Sequence, residues 1–252
     1  CCLEPEMADI EALNERAVRG DDPLPVTKLS LPALARCLDR YAILSSGAAL
    51  GFGCGPLVVC REPSLQIDDL ANARVAIPGL HTTAFLLMSS LLPKAREVVP
   101  MRFDEVMPAV ASGACDAGLI IHESRFTFMQ HGLRELADLG VLWERQTSGP
   151  LPLGIIAARR DLGGATFALL EESLRDSVRL ARRQPERPRA WIREHAQEMS
   201  DEVCDQHINL YVNDFSEDLG DVGRRAIDEL LRSGRALGLL PDGGSAYLES
   251  NS

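Results

Sequence analysis

Apolar residues first recur at helical spacing after Asp9, at Ile10, Leu13 and Ala17, and the pattern stops at Gly20. That predicts a helix with a side-chain cap at its start and a glycine at its end. "LPVTKL" is a short strand, and "SLPALARCLDRY" is a helix with Ser30 at the N-cap and Pro32 in the first turn, where a missing N–H costs little. "YAILSSGAALGFGCGPLVVCR" predicts two strands around a glycine-rich connection. A strand "RVAIPG" and an apolar helix "LHTTAFLLMSSLL" follow. In "FDEVMPAVASG" the residues Phe103, Val106, Met107 and Val110 share one helical face that ends at Gly113. "DAGLII" is a strand, "SRFTFMQHGLRELADLG" is helical in part and broken at Gly132, and "LPLGIIAARRD" is a further strand. From Phe167 the pattern is helical: Phe167 to Arg183, Arg189 to Met199, Asp201 to Tyr211 with Ser200 as its N-cap, and Val222 to Gly234. The tail "PDGGSAYLESNS" is turn-rich and expected to fray.

Strands alternating with helices predict an α/β protein with parallel strands and helices on the sheet faces, followed by a helical C-terminal part. Two strand segments, Ala76–Gly79 and Leu153–Ile156, are candidates to cross between lobes. They divide the chain into a discontinuous outer lobe, residues 1–78 and 156–252, and a middle lobe, residues 79–155. No internal repeat or low-complexity block occurs.

The 252 residues suffice for one large domain or two lobes. A formal net charge of −11 argues against broad nucleic-acid binding and against adhesion to anionic membrane, yet leaves room for a local anion site. Of 26 cationic residues only Lys28 and Lys94 are lysines. Seven scattered cysteines form no C-x-x-C pair and no zinc spacing, which fits reduced thiols in a cytoplasmic protein. The longest uncharged stretch, Ala42 to Cys60, is interrupted by glycines and a proline and is a poor membrane span. No signal peptide is expected. Cys1 is where a processed lipoprotein would carry its lipid, but a helix follows without the usual polar tether, so absent upstream residues explain the start better.

Three places share one layout: a strand, small polar residues, then the first turn of a helix. They are "VTKLSLP", "AIPGLHTTAF" and "LIIHESRF". Ligands of open α/β sheets bind beyond the carboxyl ends of strands, where helix starts offer unpaired N–H groups and a positive dipole end. Ser30, Thr82 and Thr83 add hydroxyls and Lys28 adds charge, so the layout points to a small anionic molecule. His122 reads either as a general base or as a histidine bonded to nearby backbone, and the residues alone leave both open. His81 is a possible pocket-lining residue. Glu123 is either a second acid/base group or a solvated charge, and Arg125 pairs with a substrate carboxylate or with Glu123. His131 reads as a helix C-terminal residue, and His195 and His207 as surface or packing residues.

Other chemistries find little support. "GFGCGP" lacks the helix a dinucleotide fingerprint needs, because Leu57 to Cys60 reads as strand; a flexible turn near the lobe junction is the plainer account. "HESRF" lacks the second histidine of a zinc peptidase, and neither a nucleophile elbow nor a phosphate-binding loop occurs.

"LPVTKLS", "SSGAALGFGCGPLVV", "VAIPGLHTTAFLL", "DAGLIIHESRFTF", "LPLGIIAARRDL" and "EMSDEVCDQHINLYVNDFS" together resemble the 1,4-dihydroxy-6-naphthoate synthase family of the futalosine route to menaquinone, from near Glu4 to about Leu240. The resemblance implies the two-lobed fold of type II periplasmic binding proteins, with two crossing hinge strands, used in the cytoplasm for catalysis. It implies a carbon–carbon lyase that splits cyclic dehypoxanthinylfutalosine into 1,4-dihydroxy-6-naphthoate and dihydroxyacetone. It assigns His122 as proton acceptor, and Lys28, Leu29, Ser30, Thr83 and Ala84 as substrate-binding residues. No metal or other cofactor is expected, and the partner is a small anionic substrate rather than nucleic acid or membrane. Members of the family begin earlier, with a strand and a "SPCPNDTF"-like loop that this sequence does not show, so a chain of low stability is expected. The competing expectation is a non-catalytic solute-binding lipoprotein for a small carboxylate on the same fold.

Overall fold

The structure is a computed structural model that describes residues 4–196 and 200–248. Helix α1 (Ile10–Arg19) starts where Asp9 accepts a hydrogen bond from the Glu11 N–H at 2.9 Å, and it ends at left-handed Gly20. Strand β1 (Val26–Ser30) leads into α2 (Leu31–Ala35), which is shorter than the pattern predicts: residues 36–40 are turn, and Tyr41 opens β2 (Tyr41–Ile43). Ser30 stands at the N-cap of α2, but its side chain makes no cap. Its hydroxyl instead accepts a hydrogen bond from Asn14 Nδ2 at 3.1 Å, because buried Asn14 needs a partner more than a five-residue helix needs a cap. A third strand that the pattern did not separate, β3 (Ala49–Gly51), precedes β4 (Leu57–Cys60), β5 (Arg74–Ile77) and α3 (Thr83–Leu91). The start of α3 is capped by Thr82 Oγ1, which accepts from Phe85 N at 3.2 Å.

Strand β6 (Glu97–Pro100), α4 (Phe103–Ala111) and β7 (Ala117–Ile120) follow, then α5 (Ser124–Thr127) and a further helical turn to His131. The expected break at Gly132 is a left-handed residue that ends this turn. Beyond it, "RELAD" forms β8 (Arg134–Asp138) rather than helix, because pairing with β4 overrides the helical preference of Glu, Leu and Ala. Helix α6 (Leu139–Thr147), capped by Asp138, and β9 (Leu151–Arg159) come next. The helical part comprises α7 (Gly163–Arg183), α8 (Arg189–His195), α9 (Asp201–Tyr211), α10 (Asp214–Glu217) and α11 (Gly220–Ala236). Ser200 caps α9, accepting from Val203 N at 3.1 Å. Cys1, Cys2 and the expected helix end at Met199 lie outside the described residues.

Two sheets organise these elements. In the first, the long β9 pairs antiparallel with β1, β2 and β3. In the second the order is β6-β5-β7-β4-β8; β5 is parallel to β6 and β7, and β4 is antiparallel to β7 and β8. The expectation of parallel strands therefore holds only around β5; the other named strand pairings are antiparallel. The chain changes sheets across residues 52–56 and returns at 148–150. Ala76 and Ile77, expected at a crossing, lie inside the second sheet, and Leu153–Ile156 lie inside β9. Judged by the sheets, the lobes change over ahead of the expected boundaries at 78 and 156.

The main core joins Leu29 and Ile155 of the first sheet to Leu34 of α2, to Ile227 and Leu230 of α11, and to Val58, Val75 and Leu119 of the second sheet. Each such leucine or isoleucine contributes about 1.5–3 kcal/mol by leaving water. Val59, Ile120, Val106 and Val110 pack α4 on the second sheet. The described tail is docked rather than frayed: Ala246 is buried and its carbonyl accepts from Ile43 N at 2.9 Å. No disulfide joins the described cysteines, and Cys37, Cys54, Cys60 and Cys115 are buried. No helix among the described residues is long and apolar enough to cross a membrane.

Candidate functional site

The ends of β1 and β7 and the start of α3 open on one cavity of about 410 Å³, and residues of α1, β9, α8 and α9 also line it. The three strand-to-helix junctions picked out from the sequence therefore do meet. Lys28, Ser30, Thr82, Thr83, Ala84, His122 and Glu123 all line this space.

His122 sits in the turn after β7 with φ +57°, in the left-handed region. Histidine tolerates that conformation better than branched residues do, but it still carries strain. The ring meets Phe103 edge-on at 5.0 Å between centroids and faces the His207 ring at 6.3 Å. Neither ring nitrogen is held by a protein hydrogen bond among the described residues. Burial above all, then the positive influence of His207 and Lys28, pushes its pKa down to about 3. The imidazole is therefore neutral at neutral pH, and a neutral ring keeps one lone pair able to accept a proton.

Lys28 projects from β1 into the same space, and its ammonium has no carboxylate partner among the described residues. The side chain is accessible to solvent through the cavity, yet the protein packed around it lowers its pKa. An unpaired cation in such a place attracts an anion strongly, since the surrounding protein screens charge less than water does. Ser30 Oγ accepts from Asn14, so its own proton is free to donate to a ligand. The threonines differ from the expectation of free hydroxyls. Thr82 donates to Gly79 O at 2.9 Å and Thr83 to Leu153 O at 2.6 Å. They fix the start of α3, and it is the first-turn amides of Thr83 and Ala84 that remain to meet an anion.

Three expected residues stand elsewhere. Leu29 is fully buried on the opposite face of β1, as strand alternation requires, and does not line the cavity. His81 lies outside the cavity, its backbone N–H donating to Glu11 at 2.8 Å. Arg125 is committed to Asp138 at 2.6 Å and to Gly55 O at 2.7 Å and does not line the cavity.

The helical tail supplies what sequence reasoning missed. Cys204, His207, Ile208 and Tyr211 recur at spacings of three and four, which puts them on one face of α9, and that face closes the cavity. The spacing was readable, but nothing local says that this face looks toward β1 and β7. Burial and the Lys28 charge push the His207 pKa down to about 4. Burial raises the phenol of Tyr211, whose ring lies 4.6 Å from His207. His195 also lines the cavity, but it is stacked on Trp191 at 4.2 Å, with Nδ1 at 2.8 Å from the Trp191 carbonyl oxygen. Cys54 is buried with its thiol pushed up to about 12, which keeps it protonated and unreactive.

A family model described as menaquinone biosynthesis matches residues 3–236. A 1,4-dihydroxy-6-naphthoate synthase of Thermus thermophilus is 49% identical over 237 residues, covering 94% of this chain and 85% of the relative. One from Streptomyces coelicolor is 47% identical over 244 residues, covering 95% and 85%. Among solved structures, a protein from Archaeoglobus fulgidus superposes with a TM-score of 0.86 at 34% identity, covering 92% of this chain and 86% of that one. An alkanesulfonate-binding protein from Xanthomonas axonopodis gives 0.61 at 18% identity, covering 94% and 81%. The last likeness concerns the fold alone, which is that of the periplasmic binding proteins.

Proposed function

The chain belongs to the menaquinone-biosynthesis family, and from that premise we propose that it is a carbon–carbon lyase. It converts cyclic dehypoxanthinylfutalosine into 1,4-dihydroxy-6-naphthoate and dihydroxyacetone, with His122 as the proton acceptor, and it works in the cytoplasm. Its relatives are named 1,4-dihydroxy-6-naphthoate synthases, which makes it an enzyme of menaquinone biosynthesis.

The observation that carries the finer reading is His122: a neutral ring, free of protein hydrogen bonds, on the wall of a cavity that also holds an unpaired lysine and an open helix start. Lys28, the Ser30 hydroxyl and the amides of Thr83 and Ala84 hold the carboxylate and oxygens of the substrate. In the empty cavity His122 is a weak base, because burial above all, then His207 and the Lys28 charge, oppose its protonation. A carboxylate bound beside Lys28 offsets that charge and raises the basicity of the ring, so the substrate strengthens the base that acts on it. Proton removal releases an electron pair that breaks the bond and lets the ring system aromatise. Exclusion of water by α8 and α9 strengthens each of these charge interactions.

The test is anaerobic incubation of the purified protein with cyclic dehypoxanthinylfutalosine, with 1,4-dihydroxy-6-naphthoate followed by chromatography. The parent is expected to form product and His122→Asn to lose at least about 100-fold in rate. Asn is chosen because it tolerates a positive φ. Equal turnover by both removes His122 as the base. Saturable binding without turnover in either points to the solute-binding alternative.

A further inference from the structure

The tail histidine that sequence patterning left as a surface or packing residue lines the cavity in the structure. His207 lies midway along α9, on the cavity wall, with its ring 6.3 Å from that of His122. At that separation one small group of a bound molecule can touch both rings. A histidine used for structure normally satisfies a ring nitrogen within the protein, as His195 does with the Trp191 carbonyl. His207 makes no such bond among the described residues. Its ring rests instead against Tyr211, one helical turn on, at 4.6 Å, and the residue lines the cavity.

We propose that His207 is a second catalytic residue of this cavity, donating a hydrogen bond to the substrate oxygen on which negative charge collects as the carbon–carbon bond breaks. The assignment rests on the lyase reading above. His122 accepts a proton from the substrate, and the released electron pair breaks the bond and ends on an oxygen of the departing three-carbon fragment. His122 then returns the same proton to that fragment, so protons and electrons balance without an outside reagent. Throughout, His207 keeps its proton and contributes the N–H. Burial and the Lys28 charge hold its ring in the neutral form, which always presents one donor. Two histidines of lowered basicity thus divide the work: the lone pair of one takes the proton, and the N–H of the other steadies the charge.

The experiment compares steady-state kinetics of the parent, His207→Leu and His207→Gln with cyclic dehypoxanthinylfutalosine, together with their thermal melts. Glutamine retains an N–H donor at similar reach, whereas leucine fills the same space without one. The expected result is a kcat about 100-fold or more below the parent for leucine, with KM changed by no more than about threefold. Glutamine is expected to recover at least about tenfold of that loss, and both variants to melt with the parent. Equal losses in the two variants, or a loss confined to KM, overturn the donor role. So does full activity of His207→Leu in the presence of an active parent. A parent that forms no product overturns the lyase reading itself and this assignment with it, and the parent control separates that failure from the others.

Discussion

The two cavity histidines are held neutral by the fold, and this has a cost in acid. His122 and His207 carry pKa values of about 3 and about 4, against roughly 6.5 in an unfolded chain. As the pH falls below 6.5 the unfolded chain binds protons that the folded protein refuses, so the unfolded state gains. The full stability is present above about 6.5 and drains away as the pH falls toward the folded values. At pH 5 each histidine removes roughly 1–2 kcal/mol. Half-buried Glu11, with a pKa raised mainly by desolvation, acts in the opposite direction, so the comparison that isolates the histidines is parent against a double variant, His122→Asn with His207→Gln. Urea midpoints between pH 7 and pH 5 should fall in the parent and fall distinctly less in the double variant. Parallel curves would mean that the rings are protonated in the folded state. At this scale the sequence exposed only half of the pair. His122 ends a strand in a layout that announces a pocket, whereas His207 sits in a helix whose orientation only tertiary packing decides.

Among the elements, the junction of β8 and α6 shows most clearly why part of the fold escaped the pattern. "RELA" at the start of "RELADLGVLWERQ" carries residues that favour helix, and the strand exists because β4 pairs with it. Asp138 marks the switch. One carboxylate oxygen accepts from Gly140 N at 2.9 Å and Val141 N at 3.1 Å, capping α6, and the other meets Arg125 at 2.6 Å. Arg125 and Asp138 are 19% and 10% exposed, so removing the acid strands a largely desolvated cation. Asp138→Ala should therefore cost about 3 kcal/mol, combining a lost cap with a broken buried pair. Asp138→Asn, which keeps the cap, should cost distinctly less. Denaturant midpoints check both, and a change below about 1 kcal/mol for alanine would show that the cap and the pair contribute little. By contrast, α1, α3, α4 and α9 were legible because each carries its own start signal or an apolar face of helical period. The antiparallel pairing around β9 was not legible, since strands carry no mark of the direction of their partner.

For the molecule as a whole, the decisive contact is where the chain passes between the sheets. "GFGCGP" read as a flexible turn, but its glycines serve opposite ends. Gly53 has φ +65° and open space where a side chain would go. Gly55 has no such turn to make; a Cβ there would lie 2.2 Å from Gly140 N and 2.3 Å from Gly140 Cα. The backbone before β4 and the first turn of α6 therefore touch directly, at a point flanked by Cys54 and Pro56 of the cavity wall. The contact also holds the carbonyl that receives Arg125, at 2.7 Å. Gly53→Ala should lose only about 1 kcal/mol, the cost of a left-handed conformation for a residue with a Cβ. Gly55→Ala has backbone on both sides and nothing flexible to move, so α6 must shift away from β4. The loss should exceed about 2 kcal/mol and reach the cavity, lowering turnover although no group that touches substrate has changed. Melting curves and product formation for the two variants decide the matter. If Gly55→Ala melts and turns over like Gly53→Ala, the sheets are not locked at this crossing, and the spacing of His122 from Lys28 is set elsewhere.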